Sequence, residues 1–463
     1  MLDFRVKIGL APMRRDVTAR PGAFNWEKAE ERAKHIVSYI KKNFTNENVS
    51  FFDLDGINAT NIMYCQKDAE NVVEKFKKES VDAVFIINCN FGNEEIAGYV
   101  GKELGKPVLL WAPMDDEFEE DGTRYTDSQC GLFGTSRMLQ RLHVPFSYIE
   151  SCFVEDEKFR CRFEKFISVS CMVKNFKRLK IAQVGSRPKP FCSVIYNEGE
   201  LMEKFGVSVT PINLAIVQDT YRRILTEREE ELQEGAALLE RRYSVDELSK
   251  PVLEKIYAFV LLYKEIVEEY GVDAISAECW SAMRVLIGAM PCVAYSILAD
   301  MGYIISCESD VLGAISMAML ACASLGKKVP FFGEFTVRHP KNKNGELLWH
   351  CGPFAYSLKK EGTEAKIVNM QEWLQVKDGT YTIARMDQDN GEYQLLVGKF
   401  KTTDGPYTNG TYLWAEFDDL SKWEKKLVEG PYIHHMAEIE GDYVEILKEF
   451  CKFIPDLKID TVE

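Results

Sequence analysis

Short apolar runs alternate with charged segments of helical spacing through the first third of the chain, and that alternation leaves few folds open. Residues 6–12, 49–54, 83–89 and 108–112 read as strands. Segments 26–43, 69–79 and 94–104 lie between them and carry apolar residues at helical spacing among many charges. Such alternation predicts a parallel sheet with helices on both faces. Ligands of such sheets sit beyond the carboxyl ends of the strands. The loops there are 12–15, with Arg14 and Arg15, 88–93, with Phe91, and 113–116.

A second alternating unit begins near residue 177. Segments 179–184, 207–212, 273–277 and 303–307 read as strands, 198–205 and 220–239 as helices, and 311–325 as a mostly apolar helix buried on most faces. The loop 185–190 contains Arg187 and Lys189, and the strand 273–277 runs into Glu278, Cys279 and Trp280. After Gly326 the period changes to two, in segments 331–338, 346–350, 365–369, 380–386, 393–400 and 411–417. Turn residues separate them, including Asp389-Asn390-Gly391 and Asn409-Gly410, so an antiparallel β domain is predicted, closed by a last helix near 442–453. The expected fold is α/β: two doubly wound parallel-sheet domains, 1–173 and 174–328, then a β domain, 329–463.

Composition sets limits on function. With 57 Lys+Arg against 72 Asp+Glu, the net charge is −15. Nucleic acid and anionic membrane surfaces both demand a basic face, so neither is an expected partner. No apolar stretch is long enough to span a bilayer, and the first residues lack the apolar core of a signal peptide, so a cytoplasmic location is expected. The 13 cysteines are odd in number and no two stand three apart. That argues against a disulfide framework or a cysteine-rich zinc site, and reads as small buried hydrophobes in a reducing compartment.

Familiar catalytic templates are missing. There is no P-loop, no G-x-G-x-x-G opening a helix after the first strand, no G-x-S-x-G elbow and no H-E-x-x-H. Catalytic residues must then come from several loops. Four of the 6 histidines, His339, His350, His434 and His435, fall in the last 125 residues. Carboxylates stand beside them at element ends. Glu308 follows the run 303–307, Glu334 interrupts 329–333, and His350 ends 347–349. Two carboxylates and imidazoles so placed can hold one divalent cation, and imidazole favours Mn²⁺ over Mg²⁺. The competing reading is ordinary: a solvated loop carboxylate and a hydrogen-bonded strand histidine. In an extended segment the rings of His434 and His435 face opposite ways, so at most one is expected to reach a given metal, while the other could touch substrate or simply pack. Glu429 and Glu438 are assigned to the surface, and His35 and His143 carry no expected role.

These residues resemble motifs of the L-fucose/L-arabinose isomerase superfamily. Glu308-Ser309-Asp310 before a small-residue helix is similar to its E-x-D motif, whose Glu is a metal ligand and acid/base group. Phe332-Gly333-Glu334-Phe335-Thr336 is similar to the strand that supplies the second carboxylate ligand, and His350 falls where arabinose isomerases have a ligating histidine. Gly430-Pro431-Tyr432-Ile433-His434-His435 looks like the C-terminal loop that bears the last ligand. The resemblance implies a β-barrel-like third domain, and a homo-oligomer, trimer or hexamer, with sites between subunits. It also implies His435 as the ligand, with His434 near the substrate. Two departures stand out: Phe91 is the only ring in the loop 88–93, where fucose isomerases offer an aromatic across the interface, and the C-terminal domain is shorter.

The implied chemistry is metal-dependent aldose–ketose isomerisation of an open-chain sugar through a cis-enediol(ate). Glu308 and Glu334 are the acid/base candidates, Glu308, Glu334, His350 and His435 the candidate ligands of Mn²⁺ or another divalent cation, and Asp310 an orienting group. Trp280 and Trp349 offer apolar faces to a sugar, or serve in the core. Arg14, Arg15, Arg187, Arg338 and Lys189 raise a second possibility, an acidic sugar, against the plainer reading of surface arginines. Two other classes stay open: a metal-free sugar-binding or regulatory protein on the same fold, and a metal-dependent epimerase or aldolase.

Overall fold

The structure, a computed structural model, describes residues 1–17, 24–245 and 248–462. The chain forms two compact units, 3–174 and 175–463, the second including Met1 and Leu2. In the first, strands and helices alternate as β1 (Val6–Met13), α1 (Trp26–Phe44), β2 (Val49–Phe52), α2 (Gln66–Glu79), β3 (Ala83–Asn88), α3 (Glu94–Leu104), β4 (Val108–Trp111), α4 (Ser128–Arg141), β5 (Phe146–Ile149) and α5 (Glu157–Phe176). The sheet is parallel, in the order β2-β1-β3-β4-β5. Central strand β3 is buried at every position, as a strand covered by helices on both faces must be. The elements α4, β5 and α5 carry no clear period in the sequence; β5 is a four-residue edge strand with Tyr148 exposed.

The second unit opens with β6 (Lys180–Val184), α6 (Glu198–Glu200, running on as a π-helical turn, Leu201–Phe205), β7 (Ser208–Ile212), α7 (Leu214–Glu227), α8 (Glu229–Arg242), α9 (Lys250–Tyr270), β8 (Ala274–Ala277), α10 (Met283–Ile287), α11 (Cys292–Asp300), β9 (Ile304–Cys307) and α12 (Val311–Ala323). Its parallel sheet has the order β7-β6-β8-β9. The single helix expected over 220–239 is instead two. Arg228 leaves helical geometry at φ −116° and ψ 39°, and its guanidinium pairs with Glu231 and Glu265.

The remaining elements are β10 (Phe331–Arg338), β11 (Gly345–His350), β12 (Lys366–Val368), β13 (Gln371–Gln375), β14 (Thr380–Asp389), β15 (Glu392–Thr402), β16 (Thr411–Glu416), α13 (Leu420–Glu429), β17 (His435–Glu440), α14 (Val444–Cys451) and β18 (Leu457–Thr461). Strands β16-β11-β10-β17-β14-β15 close on themselves through β15–β16, a six-stranded antiparallel barrel. The chain does not end on a helix, as the sequence suggested: β18 follows α14 and pairs parallel with β15. Among the described residues no helix is long and apolar enough to cross a membrane.

Helix α12 joins the sheet to the barrel. All its residues are buried, and it packs against β8 and β9 on one side and β14 and β17 on the other. A helix apolar all round fits only such a two-sided environment.

Within β13, Glu372 is fully buried. Its Oε1 accepts the Tyr243 hydroxyl at 2.6 Å, and Oε2 has no partner among the described residues. Burial pushes its carboxyl up to about 8, against the partial relief given by Tyr243 and Ser296. A carboxyl raised on folding binds its proton more tightly in the folded chain, so stability is lost as pH climbs from its unfolded to its folded value. Unfolding free energy is therefore expected to fall between about pH 5 and pH 8, by up to about 1.4 kcal/mol per unit. Glu372→Gln should flatten that part of a urea-denaturation pH series. An unchanged slope would assign the loss to other groups.

Candidate functional site

The order β7-β6-β8-β9 places a switch point between β6 and β8, because the chain leaves β6 toward β7 on one side and returns to β8 on the other. The loops after β6, β8 and β9 meet at that edge. Glu278, just past β8, accepts the Ser186 amide at 3.1 Å on Oε2. Gly185 allows this: its φ is +76°, and a Cβ there would lie 2.6 Å from that same oxygen.

Just past β9 the backbone turns sharply. Glu308 and Ser309 both occupy the left-handed region, with φ 61° and 56°. Two consecutive non-glycine residues there cost roughly 1–3 kcal/mol each, a strain tolerated where function fixes the side chain. The turn delivers Asp310 as N-cap of α12, its side chain accepting the Gly313 amide at 2.9 Å. It also aims Glu308 toward the barrel. Glu308 Oε1 accepts the Trp280 indole N–H at 2.8 Å.

Barrel strands supply the rest. Glu334 of β10 stands opposite His435 of β17 and opposite Trp349 of β11, and His350 ends β11. One donor atom each from Glu308, His350 and His435 lies within 4.8 Å of the others, and the same holds for Glu334, His434 and His435. Glu308 Oε2 is 3.1 Å from His435 Nε2, which is 3.7 Å from Glu334 Oε2. Glu308 Oε2, His350 Nε2 and His435 Nε2 are all buried, and none makes a hydrogen bond with a described residue. Buried polar atoms ordinarily find partners. Three that converge without one, from two imidazoles and a carboxylate, fit a divalent cation of the Mn²⁺ or Zn²⁺ type.

The electrostatics agree with that fit. Burial alone would depress both imidazoles. Asp310 and Glu308 outweigh it at His435, while Cys351, Glu308 and Glu334 do so at His350, and both are raised, His350 to about 9. Burial likewise pulls Glu334 up, but the His434 hydrogen bond and the charges of the three imidazoles hold it below the ordinary carboxylate range. The cluster is a place where positive charge is stabilised.

Behind His435 lies a buried ion network. Asp310 Oδ2 accepts from His435 Nδ1 at 3.0 Å and from Arg385 Nη1, while Arg385 Nε donates to Asp387 at 3.1 Å. Arg385 is fully buried. With a proton held on Nδ1 by Asp310, His435 could give its Nε2 lone pair to a cation lying between Glu308 and Glu334 in place of the proton that Nε2 otherwise carries. This is the arrangement that orients a metal-ligating histidine.

The structure therefore brings together Glu308, Glu334, His350 and His435, with His434 beside them. The two adjacent rings do not point fully apart: they sit 4.6 Å apart at 68°, and His434 Nε2 reaches to 3.5 Å from Glu334. Trp280 is 42% exposed and touches Glu308. Trp349 stacks on His350 with centroids 6.3 Å apart, and packs on Leu347, Tyr412 and Trp414. Arg187 folds onto its own loop, donating to the Lys189 carbonyl at 3.1 Å. Arg338 is exposed and paired with Glu424. Arg14 and Phe91 belong to unit 3–174, at the carboxyl ends of β1 and β3. The Arg14 guanidinium lies between the rings of Trp26 and Tyr64, at 4.2 and 3.9 Å, and Phe91 lies under Arg15 at 4.7 Å.

Some neighbours escape sequence reasoning. Phe191 packs edge-on against Trp280 and His435, at 5.9 and 6.1 Å, and no pattern marks it. Arg385 interrupts the alternation Thr382-Ile383-Ala384-Arg385-Met386, a signal that was there to read. Glu438, expected at the surface, is fully buried and accepts the Gly333 amide at 3.0 Å.

Comparison with known proteins points in one direction. Residues 17–177 match the family model described as "Fucose/sulfoquinovose isomerase, N-terminal domain". A sulfoquinovose isomerase of Priestia aryabhattai is 27% identical over 399 residues, which cover 84% of this chain and 87% of that protein. One of Alkalicoccus urumqiensis is 26% identical over 391 residues, 82% of this chain and 86% of its own. The likeness thus runs on beyond residue 177 into the unit that carries Glu308 and His435.

Proposed function

The chain belongs to the fucose isomerase-like superfamily, and on that premise we propose that it interconverts an aldose and its ketose, with Glu308, Glu334, His350 and His435 holding a divalent cation, Mn²⁺ by preference. The observation that carries this reading is the convergence of buried atoms of Glu308, His350 and His435 that have no polar partner but one another. Bound there, the cation supplies Lewis acidity toward the carbonyl and adjacent hydroxyl oxygens of an open-chain sugar.

The chain's own groups supply the proton transfer. A proton must leave C2 and arrive at C1, and one carboxylate on one face of the sugar can carry it through a cis-enediol(ate). Glu334 is the better placed. Its side chain is 19% exposed against 10% for Glu308, and Glu308 Oε1 is already engaged by Trp280. Exposed His434, 3.5 Å from Glu334, is placed to hydrogen-bond the sugar and to keep that carboxylate ionised. Trp280 and Phe191 wall the site on its apolar side.

The substrate we propose is a sulfonated hexose. The relatives are sulfoquinovose isomerases, and a sulfonate calls for a cation. Arg187 and Lys189 bring positive charge to the loop whose Phe191 touches Trp280 and His435. The test incubates the Mn²⁺-loaded protein with neutral and sulfonated aldoses in D₂O, read by NMR. The expected product is a ketose labelled at C1, with kcat/KM favouring the sulfonated sugar. Equal kcat/KM on neutral sugars would remove the sulfonate. Label at C2 without ketose would make the protein an epimerase. No turnover, and no rise in Tm with Mn²⁺, would leave a metal-free binding protein.

A further inference from the structure

The cysteines, which the sequence presents as scattered buried hydrophobes, do not all stay apart. Cys279 follows β8, Cys292 opens α11, Cys307 ends β9 and Cys351 follows β11. The Sγ atoms of Cys279 and Cys307 are 3.1 Å apart, and those of Cys292 and Cys351 are 3.5 Å apart. The four are buried free thiols, and Cys351 Sγ lies 3.4 Å from His350 Nδ1. One donor atom each from Cys307, His350 and Cys351 lies within 4.8 Å of the others.

We propose that Cys307, Cys351 and His350 form a second cation site, for a thiophilic ion such as Zn²⁺, Cd²⁺ or Cu⁺, and that its occupancy withdraws His350 from the carboxylate-lined site. The spacing suits such an ion. Bonds of about 2.3 Å to sulfur and 2.0 Å to nitrogen, in a tetrahedron, set sulfur and nitrogen ligands about 3.5 Å apart and two sulfurs about 3.8 Å apart. The 3.4 Å between Cys351 Sγ and His350 Nδ1 already matches, and the donor atoms of Cys307, His350 and Cys351 lie within 4.8 Å of one another. A fourth ligand is at hand, because Cys279 adjoins Cys307 and Cys292 adjoins Cys351. Thiolates select soft ions and leave Mn²⁺ to carboxylates and imidazoles. On binding, each ligating thiol releases its proton to solvent.

His350 couples the two sites through its two nitrogens. Nδ1 accepts the Cys351 amide N–H at 2.9 Å and faces the Cys351 thiol, so a soft ion there would take the lone pair that the amide now holds, while Nε2 belongs to the group with Glu308 and His435. A neutral imidazole carries one proton. If Nδ1 gives its lone pair to a soft ion, the proton stays on Nε2 and that nitrogen cannot ligate. If Nε2 holds the cation of the other site, the proton sits on Nδ1, and the ring must turn that N–H toward sulfur and give up the hydrogen bond from the Cys351 amide. The thiol site stands on its own geometry; only the competition for His350 rests on the function proposed above.

The full chain, freed of metal, is titrated with Co²⁺ under reducing conditions and followed in the near ultraviolet. A sulfur-to-cobalt charge-transfer band is expected in the native protein and in Glu308→Gln, and is expected to vanish in the Cys307→Ser/Cys351→Ser double variant. Circular dichroism verifies that the variants fold, and the native band itself needs no variant. No band at saturating Co²⁺, or a band that survives the double substitution, would overturn the site. Cd²⁺ is further expected to weaken Mn²⁺ binding at least tenfold, read by the EPR signal of free Mn²⁺, in the native protein but not in the double variant. Unchanged Mn²⁺ binding would overturn the competition. If Mn²⁺ does not bind at all, it is the proposed isomerase site that fails, and the cobalt band still decides the thiol site.

Discussion

Glu334→Gln is expected to lower kcat by about 10²- to 10⁴-fold, the usual worth of a positioned acid/base group, with the fold intact. Gln keeps the size and one oxygen, so His434 and the barrel pairing between Glu334 and His435 lose little. What disappears is the ability to take a proton, together with the negative charge of one of the groups proposed to hold the cation. Glu308→Gln should fail differently. Its Oε1 can still accept from Trp280, but the unpartnered Oε2 becomes an amide or a neutral oxygen facing His435 at 3.1 Å. Loss of Mn²⁺ affinity should then precede loss of kcat, and saturating Mn²⁺ should restore part of the rate in Glu308→Gln but none in Glu334→Gln. Tm against Mn²⁺ concentration, run beside turnover, separates the two. Full activity in both variants would remove these carboxylates from the site.

Why these residues were legible, and others not, has a physical answer. Glu308, Glu334 and His350 stand where apolar strand patterns stop, and polar groups at strand ends interrupt a visible period. His435 was legible only as a member of a pair. It opens β17, a strand buried on almost every residue that therefore shows no alternation in the sequence. The same double burial hid Glu438: a carboxylate in a strand reads as solvated unless its partner, here the Gly333 amide, is known. The cysteine cluster was invisible for a simpler reason. Its members lie on four elements brought together by two sheets, and no spacing along the chain encodes that. Barrel closure through β15 and β16, and the parallel return of β18, are pairings between distant segments that local patterns do not specify.

Arg385→Leu is expected to cost about 3–5 kcal/mol of stability, the typical penalty for stripping one partner from a buried ion network. Arg385 is the sole cation in contact with Asp310 and Asp387 among the described ion pairs, aside from His435, and all three side chains are nearly or wholly buried. Its removal leaves two carboxylates in a low-dielectric interior. Burial already pushes Asp387 up even with the guanidinium present, while Arg385 and His435 together hold Asp310 well below the ordinary range. Arg385→Leu/Asp387→Leu should recover part of the loss, because only one orphaned charge remains and His435 still faces it. Stability alone does not show that the network serves the site, and Asp310→Asn supplies that test. Asn is nearly isosteric and can still cap α12 by accepting the Gly313 amide. With its oxygen committed to that cap, the amide nitrogen faces His435 Nδ1 and Arg385 where Oδ2 stood. His435 then holds its proton on Nε2, the nitrogen that should ligate. Mn²⁺ affinity should drop about 10- to 100-fold, the usual cost of losing the partner that orients a ligating histidine. Unchanged Mn²⁺ affinity in a folded Asp310→Asn variant would mean that His435 is not a ligand, and the cation would have to be held by Glu308, Glu334 and His350 alone.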